Sequence, residues 1–382
     1  MTETKLTSFS GSYDPSDVTF LLKPVVLEPT PIATKERLIQ SGQKHYSEMI
    51  SREQLPSKAY LDVFYDAVAR NQARFAQDLL SLAGAVAQQQ RGDVVIVSLA
   101  RAGTPVGVLL TRLLRRHFKR DTKHYSVSII RDRGIDAVAL GHVLSHHPQD
   151  QVVFVDGWTG KGVIARELSR WVGVFNDRHG TDLPRGLWAV ADLCGAAAVA
   201  ASRDDYLIPS AILNSTVSGL VSRSILNDAV VGPGEFHGCL YLDAFRDHDL
   251  SRWFVDTVDA LAAELAAQSD PQPDTVPDTA PDDAARSRAF LDRMARDEGV
   301  TDPNHVKPGI GEATRVLLRR VPDLLLLRDP DDPDVAHLRV LADEKGVPIR
   351  PDPALPYRAA ALIKRLEPTP RPPDAPQGMT DA

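Results

Sequence analysis

The chain has two cysteines in 382 residues, Cys194 and Cys239, and no CxxC pair. That argues against a disulfide framework and against a structural zinc site. No apolar run is long enough to cross a bilayer, so no membrane role is expected. Met1 to Lys5 lack the charged-then-apolar order of a secretory signal. The net charge of −7 leaves no general excess of positive charge for nonspecific nucleic-acid binding. No GxxxxGK[ST] segment is present, which sets aside a Walker A loop. The first strand is followed by no GxGxxG, which sets aside a dinucleotide fold. A soluble cytoplasmic protein is the expectation. The apolar fraction of 43% supplies a core for two domains, or for one large domain and a small one.

What is present alternates between strand and helix. The first 55 or so residues read as an irregular arm, with Phe20-Leu21-Leu22 and Val25-Val26-Leu27 packing on the body. Apolar residues from Leu61 to Leu82 recur near helical spacing, predicting one or two helices over 58–90. Val94 to Val97 predicts a buried strand and Pro105 to His117 a helix. Strands are predicted at Tyr125–Ile130, Val152–Val155 and Leu187–Leu193, and a helix from about Val163 to Phe175. This order implies a parallel sheet covered by helices. A helix at Val255–Ala267 closes a first domain, residues 1–267. Pro and Asp then alternate without Lys or Arg, predicting an extended acidic linker over 268–285. A second domain is expected over 286–366, and a disordered tail over 367–382.

Two strand ends carry the residues of interest. Val152-Val153-Phe154-Val155 runs into Asp156, then Gly157, Trp158, Thr159, Gly160, Lys161 and Gly162, then a helix start. A strand, an acid and a nest of backbone N–H groups suit a ribose hydroxyl and a phosphate. One βαβ step earlier, Ser98, Arg101, Ala102 and Gly103 form a small-residue turn before a helix. Glycine there lets amides approach closely, and the guanidinium forks onto phosphate oxygens. An ordinary strand-to-helix turn with a surface Arg is the competing reading.

The loop arrangement resembles that of type I phosphoribosyltransferases, which use phosphoribosyl pyrophosphate (PRPP). The segments Ser12 to Lys23, His45 to Met49 and Val155 to Gly162 resemble the StiP family over roughly residues 10 to 265. Its members are associated with tellurite resistance and stress response, and carry two labels, phosphoribosyltransferase-like and cysteine protease. The resemblance implies an α/β fold with a type I phosphoribosyltransferase-like parallel sheet. It implies Arg131 and Arg133 on a loop that closes over pyrophosphate, and Asp156 at the ribose, touching Mg²⁺ through Mg-PRPP. Asp205, Tyr206, Asn214 and Ser215 fall where purine transferases hold the base, although locally satisfied polar groups fit those positions equally well. This chain has a single acid at Asp156 where most type I phosphoribosyltransferases carry two adjacent ones. The protease label needs a reactive cysteine with a histidine base. Cys194 and Cys239 both have apolar neighbours and read as structural thiols.

Residues 307–348 give a helix, the strand Leu324–Leu327 and a helix ending at Gly346. This order resembles the Pelota and kink-turn-binding ribosomal-protein fold, a small α/β/α RNA module. The resemblance implies RNA contacts at Gly309, Gly311, Glu312 and Arg315, and Arg315, Arg319 and Arg320 offer a local basic patch; a protein-interaction or oligomerisation module is the competing reading. A Gly stands where that family has a base-reading Asn. The reading favoured by the sequence is therefore a PRPP-dependent transferase with Mg²⁺, a small-molecule acceptor and RNA as a further partner, with a homodimer left open. A non-catalytic, nucleotide-sensing RNA-binding regulator is the first alternative, and a cysteine protease the second.

Overall fold

The computed structural model describes residues 8–268 and 281–366. Part of the expected linker, 269–280, and the expected tail, 367–382, lie outside the described residues.

The N-terminal arm is more regular than its sequence suggests. It holds β1 (Thr19–Leu21), β2 (Lys23–Pro24) and α1 (Ile32–Gln40). Phe20, Leu21 and Leu22 are fully buried, but Val26 is 90% exposed. The three-residue strand is too short to read by periodicity. It forms because a neighbouring strand offers it a parallel edge, Thr19 to Leu21 against Tyr125 to Val127. One helix, α2 (Lys58–Gln89), then spans the whole periodic segment, and the Ser57 hydroxyl caps it by accepting from the Tyr60 amide.

The alternation follows: β3 (Val94–Ala100), α3 (Gly103–Arg116), β4 (Thr122–Ile130), β5 (Gly134–Ile135), α4 (Ala137–Leu144), β6 (Val152–Thr159), α5 (Val163–His179), β7 (Leu187–Asp192) and β8 (Val199–Ser202). The order β1-β4-β3-β6-β7-β8 is parallel throughout, with β5 antiparallel on β4. The chain leaves β3 to one side for β4 and to the other for β6. The C-terminal ends of these strands therefore flank a topological switch point, where open α/β sheets hold ligands. The expected parallel α/β sheet is present.

A small sheet follows, with β9 (Val221–Ile225) and β10 (Gly238–Tyr241) in the order β2-β10-β9, and then α6 (Ser251–Gln268). The next described element is α7 (Pro281–Asp297), so residues 281–285 start a helix rather than continue a linker. Then come β11 (Val306–Pro308), α8 (Ile310–Arg319), β12 (Pro322–Leu327), α9 (Ala336–Lys345), β13 (Ile349–Pro351) and β14 (Ala359–Ile363). They form a sheet in the order β11-β14-β12-β13. Gly346 ends α9 in the left-handed conformation, φ 63°.

The two sheets share one apolar core. Phe64, Leu79 and Ile212 belong to the same cluster as Ile310, Leu317 and Leu338. The helix α2 packs on α3, α6 and α9. Asp334 accepts from Asn71 at 2.9 Å and from the Leu207 amide at 3.1 Å. Arg320 makes two bonds to Glu36, at 2.6 and 2.7 Å. The second unit is thus seated on the C-terminal edge of the large sheet.

Candidate active site

The turn after β3 and the end of β6 meet. A Cβ on Gly103 would come within 2.7 Å of the Val155 carbonyl, and one on Gly157 within 3.4 Å of the Ala102 carbonyl. The glycines read as allowing close backbone approach serve that purpose, toward each other. Ser98 does not reach the turn. It is fully buried, and its hydroxyl lies 2.8 Å from His124 Nε2, while His124 Nδ1 faces the Asp17 carbonyl at 2.9 Å. That carbonyl places the proton on Nδ1, so the serine donates to Nε2. Burial pushes His124 down to about 3. Arg101 donates to Asn214 Oδ1 at 2.8 Å, and Arg319 donates to the same oxygen at 2.6 and 3.1 Å.

The expected phosphate loop is shorter than its sequence suggests. Trp158 and Thr159 continue β6, in register with Ala191 and Asp192 of β7. Only Gly160 to Gly162 turn. Within that turn the Gly162 amide already donates to the Thr159 hydroxyl at 3.0 Å. Lys161 Nζ donates to the carbonyls of Pro303 and Val306, and a Cβ on Gly160 would meet the Pro308 carbonyl at 2.6 Å. Asp156 is buried, with Oδ1 accepting from the Gly157 amide at 2.8 Å. Burial raises its carboxyl to about 6, against the pull of the Arg315 guanidinium. It offers a metal one carboxylate. Among the described residues no group of three or more His, Cys, Asp or Glu could hold a metal ion.

The two arginines after β4 part company. Arg131 donates to Asn304 at 3.1 Å and lines the cavity beside Lys161 and Arg315. Arg133 turns away to Glu48 at 2.7 Å. The base-site candidates are all engaged in structural contacts. Asp205 accepts from the amides of Ile310 at 2.9 Å and Arg358 at 2.8 Å, joining the two units. Tyr206 is buried, with the Arg74 guanidinium 4.0 Å over its ring. Ser215 donates to Glu53 at 2.6 Å, and Asn214 receives the two arginines.

The expected RNA residues face inward. A Cβ on Gly311 would lie 2.3 Å from the Trp158 indole, and Arg315 stacks 4.6 Å over that ring while pairing with Glu312 at 2.6 Å. Gly309, at φ 87°, lies against Leu193. These positions form an interdomain seam rather than a free face.

The two thiols differ in setting. Cys239 is sealed in the apolar core and burial raises its thiol. Cys194 follows β7 at the C-terminal edge of the large sheet. Its Sγ lies 3.4 Å from Asp192 Oδ1 and 3.8 Å from the Thr159 hydroxyl, and a Cβ on Gly162 would come within 3.2 Å of it. Burial, and then the Asp192 charge, push the thiol up to about 12. Among the described residues no histidine is hydrogen-bonded to either sulfur; the buried rings of His124 and His337 are held by Ser98 and Thr314. The apolar sequence neighbours of Cys194 suggest a structural thiol, and the Thr159 hydroxyl beside it comes from 35 positions away. The Asp-x-Cys spacing at a strand end was the available signal.

A parallel α/β sheet with a cysteine at its carboxyl edge, joined to a small α/β unit, defines the class. Residues 11–259 match the family model described as tellurite-like stress resistance cysteine protease StiP, and residues 285–365 match the PELOTA RNA binding domain. Over 368 residues the chain is 43% identical to the cysteine protease StiP of Acinetobacter baylyi, covering 94% of this chain and 95% of that protein. No solved structure matches. The chain belongs to the StiP family.

The family and the relative both carry the name of a cysteine protease, and this overturns the transferase reading. PRPP transfer, and with it the catalytic roles of Arg131, Arg133 and Asp156, is withdrawn. The physical reason for the error is visible in the strand ends. Glycines that bring two backbones together give the same sequence as glycines that admit a phosphate. The alternative that the comparisons support is the second one, the cysteine protease.

Proposed function

We propose that the protein is a cysteine peptidase with Cys194 as nucleophile, held here in a latent state. The observation that carries this reading is the position of Cys194. It lies at the carboxyl edge of the parallel sheet, beside a hydrogen-bond acceptor and a glycine turn, whereas Cys239 has only apolar surroundings. The names of the family and of the Acinetobacter baylyi relative support the reaction class.

Peptide cleavage needs a thiolate to attack the carbonyl carbon and donors to stabilise the oxyanion that forms. The Asp192 carboxylate accepts the S–H and its charge opposes ionisation, so the sulfur stays protonated. The second unit roofs the strand end, because Leu193 shares a cluster with Phe290, Met294 and Tyr357. Activity therefore requires a movement that exposes Cys194 and relieves the Asp192 contact.

The test is hydrolysis of fluorogenic peptides, with mass-spectrometric mapping of a covalent peptidyl epoxide. Cys194→Ser abolishes both turnover and labelling, and Cys239→Ser retains both. Turnover that survives Cys194→Ser would sink the assignment. RNA binding through residues 285–365 is a second reading, favoured by the family-model match, and a gel-shift titration of the full chain with a hairpin RNA tests it.

A further inference from the structure

A cavity of about 280 Å³ lies between the two units, lined by eight cationic side chains and two carboxylates. Its walls come from α1, the turn after β4, the end of β6, β9, β11 and α8. The two carboxylates are Asp156 and Glu312, and Glu312 is already paired with Arg315 at 2.6 Å. Two carboxylates behind the wall are also engaged. Glu36 takes both bonds of Arg320. Glu53 accepts from the hydroxyls of Ser215 and Ser222, at 2.6 and 2.5 Å, and its charge faces Arg223 and Arg319.

Eight cations against these four carboxylates leave positive charge in excess. Lys35 is buried, 8% exposed, and among the described residues forms no ion pair within 4.0 Å. Arg223 is held on β9 at φ 63°, and its Nε is buried with no hydrogen-bond partner. Lys161 reaches only backbone carbonyls. Burial and the neighbouring guanidiniums of Arg223, Arg319 and Arg320 push Lys35 down to about 7. Burial and Lys307 do the same to Lys161. Converging buried cations cost stability unless something compensates them, and such costs collect at sites that bind.

We propose that this interdomain cavity binds a small polyanion, a molecule carrying two or more phosphate-type charges, with Lys35 and Arg223 on one wall and Lys307 and Arg319 on the other. The volume suits a small phosphorylated molecule and not a polynucleotide. Forked guanidiniums and ammonium groups are the donors that phosphate oxygens accept from. Such a ligand also bridges the two units. The cavity shares Thr159 and Gly162 with the surroundings of Cys194, but none of its cations is hydrogen-bonded to that sulfur among the described residues, so anion binding is tested apart from peptidase activity.

The probe is inorganic pyrophosphate, titrated calorimetrically into the full chain at low salt. Wild-type protein binds it, with affinity that falls as salt rises, and its thermal midpoint increases with ligand concentration. Lys35→Met lowers the affinity at least about tenfold, while the ligand-free midpoint stays the same or rises. Lys58→Met, at an exposed lysine of α2, leaves the affinity unchanged. Absence of binding to wild type, equal affinity in Lys35→Met, or loss of folding in Lys35→Met would each overturn the proposal. Displacement of pyrophosphate by a hairpin RNA would overturn the small-ligand assignment.

Discussion

Asp156 shows how far a single residue can be read. Its position at a strand end, before glycine, was legible in the sequence. Its environment was not, because Arg315 and Glu312, the charges that act on it, are supplied by α8. The carboxyl is buried and raised from 3.8 to about 6. Between those two values the folded protein holds the proton more tightly than the unfolded chain, so stability falls as pH rises through the interval and stays lower above it. Asn keeps the acceptor for the Gly157 amide and cannot ionise. Asp156→Asn should therefore leave stability unchanged near pH 4 and raise it above pH 7 by on the order of 2–3 kcal/mol. Urea melts of both proteins across pH 4–8 check this. Parallel stability curves would show that the charge of Asp156 costs nothing. Asp205, also raised by burial to about 6, contributes the same background to both proteins.

At the scale of elements, long periodic segments were the most legible. The extent of α2, the strand cores of β3, β4 and β6, and the glycine stop of α9 follow from hydrophobic pattern and cap residues. Short elements were not legible, since β1 exists only because β4 pairs with it. The ladder with β7 likewise makes Gly157-Trp158-Thr159 a strand although its composition reads as a loop. The consequence is that Trp158 projects against α8, where Gly311 is the residue that admits it. Gly311→Ala places a Cβ into a rigid indole, at 2.3 Å, and should cost about 1–3 kcal/mol. Trp158→Ala removes the obstacle along with its own packing. The double variant should then be more stable than the sum of the single losses predicts, by about 1 kcal/mol or more. Denaturant melts of the four proteins measure the coupling, and strict additivity would mean that α8 shifts freely away from β6.

The whole molecule departs most from its sequence in how its two units relate. An acidic, proline-rich segment suggests units that fold independently, but residues 269–280 lie outside the described residues, and the contacts flanking them join the two sheets in one core. Ile310, Val316, Leu317 and Leu338 share a cluster with residues of α2 and α3, and Asp205 accepts two amides from the second unit. Such an interface resembles the interior of a domain more than a transient contact between domains. The full chain should therefore unfold in a single calorimetric transition. A chain ending at Gln268 uncovers Leu193, which packs with Phe290, Met294 and Tyr357 in the full chain. It should melt at least several degrees lower. It also loses the Tyr357 side of the Cys194 environment, so iodoacetamide should modify Cys194 at least about tenfold faster than in the full chain, with Cys239 protected in both. The two readouts separate two ideas. Unchanged melting would show that the units are thermodynamically independent. Unchanged alkylation with lowered melting would show that Asp192 and Thr159, rather than the second unit, keep the thiol latent.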